Sequence, residues 1–296
     1  MRILLTGTTG KMGGYLARHW ARQDLLTPGR EELDLSRPEA LARQLDRLDF
    51  DLAVNPAAVA TPEGCEQEPE LAHRVNAKAP ALLARECARR GVPFVHFSTD
   101  YVLDGSEPGF KDEHAPCRPN NHYGATKLAG EEAVLSLHPR ALVARISWVF
   151  GAAGESFLGK IIRQARQGEP LAAVADKYSL PTYAKDLARA IDELLAHGRQ
   201  GLYHLTHPAE APVSWHRYAE EVVAALHEEG QLPRLLPVTP LRLSDLPALR
   251  SERPIHTAMT PARLLAEGHS LRPWEEAVRA GLREQLPPSP QKGLII

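Results

Sequence analysis

Cysteine is scarce: Cys65, Cys87 and Cys117 are the three in 296 residues. They lie far apart and form no Cys-x-x-Cys pair. That excludes a disulfide framework and suits a reducing compartment, so the cytoplasm is expected. Long apolar runs are missing; no stretch approaches the ~18 residues of a membrane helix. The start "RILLTG" lacks the charged segment, apolar run and cleavage site of a secretory signal. Charge of one sign is also missing. Lys and Arg total 35 against 37 Asp and Glu, a net charge of −2, so nothing draws the chain to nucleic acid. Internal repeats are absent. His204 and His207 stand three apart without a third ligand at metal spacing. His96 reads as a core or sheet histidine, and Trp215 and Trp274 as packing residues.

What remains is the length and composition of a large α/β protein. At 43% hydrophobic residues the chain can bury a sizeable core. Short apolar runs alternate with helical periodicity. Runs at 2–7, 51–58, 92–100 and 140–151 read as strands. Segments 10–23, 68–90 and 123–137 read as helices, with Pro80 marking a break or kink and Gly91 a stop. Strands spaced by helices imply a parallel sheet covered on both faces. Further on, 155–168, 183–198 and 214–230 are helical and 171–176 and 201–206 strand-like. Ser214 is the expected N-cap of one helix. In "TPARLLAEG", Thr260 is the expected N-cap of another and Pro261 its first residue. Segment 233–254 is proline-rich, and the tail 287–296 reads as poorly ordered unless it docks on a partner.

The first strand–helix turn, "LLTGTTGKMGG", spaces Gly7, Gly10 and Gly13 three and three. Small residues there let backbone N–H groups face a pyrophosphate at a helix N-terminus. The end of the next strand chooses between cofactors: an acid suits a ribose 2′-hydroxyl and an arginine a 2′-phosphate. Here Arg30 occupies the strand end, with Asp34 and Leu35 placed where an adenine would lie. NADPH is therefore expected over NADH.

"HYGATKLAGEE" sets Tyr123 and Lys127 four apart on one helix face. A Tyr-x-x-x-Lys match arises by accident in roughly one such chain in five, so context decides. Here "STD", 98–100, ends the preceding strand, where open α/β sheets place ligands. A cationic Lys127 is expected to lower the Tyr123 phenol toward neutrality, so that it can protonate a carbonyl oxygen as hydride arrives at carbon. The Thr99 hydroxyl can hold the same oxygen.

With "GTTGKMG", "STDYVLDG", "NNHYGATKLAGE", "RISWVFG", "DKYSLPTYAKDLA" and "GLYHLTHPAEAPVSWHRYAEEV", nearly the whole chain resembles the dTDP-4-dehydrorhamnose reductase family of extended short-chain dehydrogenases. The resemblance implies a Rossmann domain over 1–150, completed by parts of 180–206. It implies a smaller C-terminal α/β substrate domain, mostly 151–179 and 207–296. It implies reduction of the 4-keto group of a dTDP-4-keto-6-deoxy sugar, dTDP-4-dehydrorhamnose to dTDP-L-rhamnose, with NADPH or NADH as donor. Thr99, Tyr123 and Lys127 become the catalytic set. Thr9, Lys11 and Met12 join the three glycines at the cofactor, and Ala57 and Ala58 lie along it. Asp100, Tyr101 and Trp148 line the sugar pocket, Arg253 lies near the nucleotide sugar, Glu66 near the substrate loop, and Asn76 matches an asparagine starting a helical segment. Magnesium at a dimer interface, associated with some members, has no support at ligand spacing, and a homodimer stays open.

The chain departs from the family pattern at Pro56, at Ser179 in place of a glycine, and at Thr257 in place of a serine. These positions are expected on the substrate side. The alternatives are another sugar-nucleotide reductase or epimerase, and a regulatory dinucleotide-binding subunit like the beta subunit of methionine adenosyltransferase.

Overall fold

Neighbouring residues of each strand feed opposite cores. In the computed structural model, which describes residues 1–152, 156–246 and 250–286, the strands are β1 (Arg2–Leu5), β2 (Asp24–Leu26), β3 (Leu52–Asn55), β4 (Phe94–Thr99), β5 (Leu142–Ile146) and β6 (Gly201–His204). They form one sheet in the order β6-β5-β4-β3-β1-β2, parallel at every pairing. Ile3, Leu5, Val95, Phe97, Leu142 and Ala144 face helices Lys11–His19 and Ala184–Ala196. Leu4, Ala53, Phe94 and Val143 face helices Pro38–Leu45 and Ala79–Arg90. Each large apolar side chain so buried contributes about 1.5–3 kcal/mol. The strand order reverses between β1 and β3, which opens a crevice beyond their C-terminal ends.

A second core sits beside the sheet. Helices Phe157–Gln167, Trp215–Glu228 and Trp274–Gln285 pack around strand Leu171–Val174, which pairs in parallel with Val238–Leu241. Trp274 is buried there, as expected. Ser214 caps its helix by accepting the Arg217 N–H at 3.0 Å.

Three local expectations need correction. The helical run 68–90 is two α-helices, Pro69–His73 and Ala79–Arg90, joined by a π-helical turn at Arg74–Lys78. Pro80 sits in the first turn of the later helix, where its missing N–H costs nothing. The widened turn lets Asn76 hold Val59, accepting its N–H at 2.8 Å and donating to its carbonyl at 3.1 Å. The helix expected to begin at Pro261 runs Ala262–Ala266 without a Thr260 side-chain cap, and the Glu113 carboxylate accepts the Arg263 N–H at 3.3 Å instead. The run 140–151 breaks after Ile146 at Trp148, whose φ of 42° lies in the left-handed region. The tail 287–296 lies outside the described residues, as does Glu155, the expected first residue of its helix. No helix among the described residues is long and apolar enough to cross a membrane.

Candidate active site

A cavity of about 1280 Å³ opens at the C-terminal ends of β1, β3, β4 and β5 and extends to the second core. Its floor begins with the glycine turn. Gly7 adopts φ 59°, and a Cβ on it would lie 2.7 Å from the Ala57 Cα. A Cβ on Gly13 would lie 2.2 Å from the Gly7 carbonyl oxygen. The loops after β1 and β3 therefore approach as closely as glycine allows. The helix Lys11–His19 starts at Gly10, has no side-chain cap and carries no acid in its first turn. Its free N–H groups and positive end suit a pyrophosphate.

Gly7, Thr9, Gly10, Lys11 and Met12 line the cavity, followed by Arg30, Asp34 and Leu35, then by Ala57 and Ala58. Gly13 does not; its part is helix–strand packing. Arg30 stands four residues beyond the end of β2, in the connecting turn rather than at the strand end, and is exposed. The Asp34 carboxylate accepts the Ser36 N–H at 2.9 Å and hydroxyl at 2.6 Å, and the hydroxyl above all holds it below the usual carboxylate range.

Thr99, Tyr123 and Lys127 meet on the opposite wall. Thr99 ends β4, while the other two ride on helix His122–Leu137. Asn121 caps that helix by accepting the Gly124 N–H at 2.8 Å, and Glu66 accepts the His122 N–H at 3.0 Å. Glu66 thus fixes the helix start. A Cβ on Gly130 would lie 2.1 Å from the Asn76 carbonyl oxygen, so the helix lies directly on the π-helical turn.

The electrostatics differ from expectation. Burial pushes the Tyr123 phenol up to about 12, although its hydrogen bond with Thr99 pulls the other way. Burial pushes Lys127 down to about 8, partly offset by Glu131 one turn along the helix. Desolvation dominates both shifts, and neither group is among the causes of the other's. The phenol stays protonated at neutral pH, the state a proton donor needs. Lys127 donates to the Phe97 carbonyl at 2.5 Å. Beneath it, Glu131 and Arg145, both buried, form a two-pronged ion pair.

Asp100, Tyr101 and Trp148 are on the cavity wall. Asp100 turns its carboxylate inward, accepting the Ser179 hydroxyl at 2.8 Å and the Thr257 hydroxyl at 2.6 Å on one oxygen. These two departures from the family pattern are buried contacts to a carboxylate, not open sugar-facing groups. Arg253 lies outside this cavity. It donates to Glu63 at 2.6 Å and lines a separate groove of about 770 Å³. Asn76 joins the site indirectly, donating to the Thr126 hydroxyl at 3.1 Å.

Trp215, expected only to pack, lines the cavity with its ring 5.6 Å from that of Trp148. Phe157, Lys160 and Tyr218 line it too, and sequence reasoning missed all three. Phe157 and Lys160 lie three apart on a helix beginning at the capping residue Ser156, a spacing that puts them on one face. His96 is fully buried between strands, with Nδ1 3.2 Å from the Asn55 amide, and burial drives its pKa well down. The His204 ring lies against Arg145, and the His207 ring accepts the Tyr183 N–H at 3.1 Å. No group of three or more metal-ligating side chains is gathered among the described residues.

Residues 1–286 match the family model described as the RmlD substrate binding domain. The chain belongs to the dTDP-4-dehydrorhamnose reductase family of extended short-chain reductases. It is an NAD(P)-dependent reductase of that family. A dTDP-4-dehydrorhamnose reductase of Burkholderia thailandensis is 35% identical, over 97% of this chain and 99% of the relative. A probable dTDP-4,6-dihydroxy-2-methyloxan-3-one 4-ketoreductase of Streptomyces antibioticus is also 35% identical, over 94% of each chain. The crystal structure of dTDP-4-dehydrorhamnose reductase from Bacillus anthracis in complex with NADP superposes with a TM-score of 0.86 at 26% identity, covering 96% of this chain and 99% of that one.

Proposed function

We propose that the protein reduces the 4-keto group of a dTDP-4-keto-6-deoxy sugar, with dTDP-4-dehydrorhamnose as substrate and dTDP-L-rhamnose as product, and takes NADPH as its hydride donor. The observation that carries this reading is the placement of Thr99, Tyr123 and Lys127 together on the wall of a cavity whose other end is a glycine turn at an uncapped helix N-terminus.

A nicotinamide dinucleotide, when bound, supplies the hydride. The rest of the chemistry belongs to this chain. The N–H groups after Gly10 would hold the cofactor's pyrophosphate. Arg30, exposed at the rim, would pair with a 2′-phosphate, which favours NADPH. Thr99, its hydroxyl proton held by Asp100, positions the Tyr123 phenol, which gives the substrate oxygen a proton as the carbonyl carbon is reduced. Lys127 would hold the nicotinamide ribose and offset the phenolate charge left behind. Trp148 and Trp215 form an aromatic wall suited to a sugar or base face.

The test is a substrate panel. The protein is given NADPH or NADH with dTDP-4-keto-6-deoxy-L-mannose, its 2-deoxy counterpart and a UDP-linked 4-keto sugar. The expected result is fastest NADPH consumption with the first, with dTDP-L-rhamnose identified by NMR. Faster turnover of either other sugar refutes the assignment.

A further inference from the structure

We propose that Asp100 is a positioning residue, a latch that ties the end of β4 and its Thr99 to segments 177–179 and 254–257. The proposal rests on the reductase reading of the site. One oxygen of its carboxylate accepts both the Ser179 and the Thr257 hydroxyls, which use both of its lone pairs. The other oxygen accepts the Thr99 hydroxyl at 3.2 Å. Asp100 is 2% exposed and Ser179 and Thr257 are fully buried. A sugar hydroxyl arriving from the cavity finds the first oxygen already saturated, so the carboxylate is poorly placed as a substrate ligand.

A second line runs in parallel. The buried Lys177 ammonium donates to the Pro254 carbonyl at 2.6 Å and lies 5.0 Å from the centre of the Tyr101 ring. The Tyr101 ring in turn meets Tyr123 edge-on, centroids 5.5 Å apart. Both lines start in the same two segments and end at Tyr123, one through Asp100 and Thr99, the other through Lys177 and Tyr101. Burial pushes the Lys177 ammonium down to about 8, and the Asp100 carboxylate offsets part of that cost. The backbone closes the arrangement: the Thr257 N–H bonds the Tyr178 carbonyl at 3.0 Å and the Tyr178 N–H bonds the Ile255 carbonyl at 2.8 Å. Segments 177–179 and 254–257 are therefore bonded to each other through their backbones. Ser179 supplies a hydroxyl where the family pattern has glycine, so one arm of the latch is this chain's own.

The experiment removes the two hydroxyls without changing Asp100. The full-length double variant Ser179→Ala/Thr257→Val is compared with wild type and with Thr257→Ser. Three readouts are taken: kcat and KM for dTDP-4-keto-6-deoxy-L-mannose with NADPH, thermal midpoint, and hydrogen exchange by peptide. The latch predicts a kcat about ten-fold or more lower, since small misplacements of reacting groups cost that much. It also predicts KM within a factor of about two, and full kcat in Thr257→Ser. Exchange is predicted to rise in 98–102 together with 177–179 and 254–257. A raised KM at unchanged kcat would mean that Asp100 binds the substrate and would overturn the proposal. So would a lower midpoint with unchanged kcat, the mark of a merely structural role. If wild type fails to reduce this sugar, the functional reading falls, while unchanged exchange at 98–102 in the double variant would separately overturn the latch.

Discussion

The Lys127 ammonium donates to the backbone carbonyl of Phe97 at 2.5 Å, across 30 positions of sequence. The bond pins the centre of the proposed catalytic helix to the strand that ends in Thr99. It also holds a lysine in a place that burial makes costly for charge, and burial pushes its pKa down to about 8.

That shift has a signed consequence for stability. The folded pKa lies below the ordinary lysine value of 10.5. Between about 8 and 10.5 the unfolded chain binds more protons, so Lys127 makes stability rise with pH through that window. Below the window the charged lysine costs stability. Lys177 is pushed to about 8 by burial as well, so the Lys127 part must be read as a difference. Urea unfolding of wild type and Lys127→Met from pH 7 to 10 is expected to show the rise reduced in the variant, with the variant losing activity. Equal slopes would show that Lys127 is not desolvated.

The helix carrying Tyr123 rests on a glycine contact. In Gly130→Ala the new Cβ would sit 2.1 Å from the Asn76 carbonyl oxygen, well inside contact distance. Overpacking of this kind costs about 1–3 kcal/mol. A lower urea midpoint with unchanged slope is expected, and kcat should fall as the helix shifts. A variant as stable as wild type would mean that the helix and the π-helical turn separate freely.

Arg30 is expected to discriminate cofactors. Arg30→Ala should raise KM for NADPH about ten-fold or more, the worth of a charged hydrogen bond to phosphate, and leave KM for NADH nearly unchanged. Equal effects on both cofactors would remove the 2′-phosphate from its role.

How much of this was legible follows from range. The glycine turn and the Tyr123–Lys127 pair are local: spacing on one helix or one turn carries them. The alternation of Ile3, Leu4 and Leu5 between two cores follows from the two-residue strand period. Asp100 lines the cavity as expected, but its bonds to Ser179 and Thr257 were not legible, because those partners lie 79 and 157 positions away and no local pattern announces a shared carboxylate. Trp215 packs against the second core as expected, but its place on the cavity wall was not legible, because an aromatic residue on an amphipathic helix looks the same whether it faces a core or a cavity. The expected lowering of the Tyr123 phenol failed for an energetic reason: spacing shows the neighbouring charge but not the depth of burial, and here burial dominates. The π-helical turn leaves no compositional mark beyond a proline that also suits a first helical turn.

The central claim is that the Tyr123 phenol delivers the proton. The most direct measurement is single-turnover oxidation of bound NADPH by dTDP-4-keto-6-deoxy-L-mannose in wild type and Tyr123→Phe, with NADPH affinity measured in both. The account predicts unchanged affinity and a rate lower by about 10²–10⁴-fold in the variant, the usual worth of a positioned acid. A variant that turns over at the wild-type rate would contradict it.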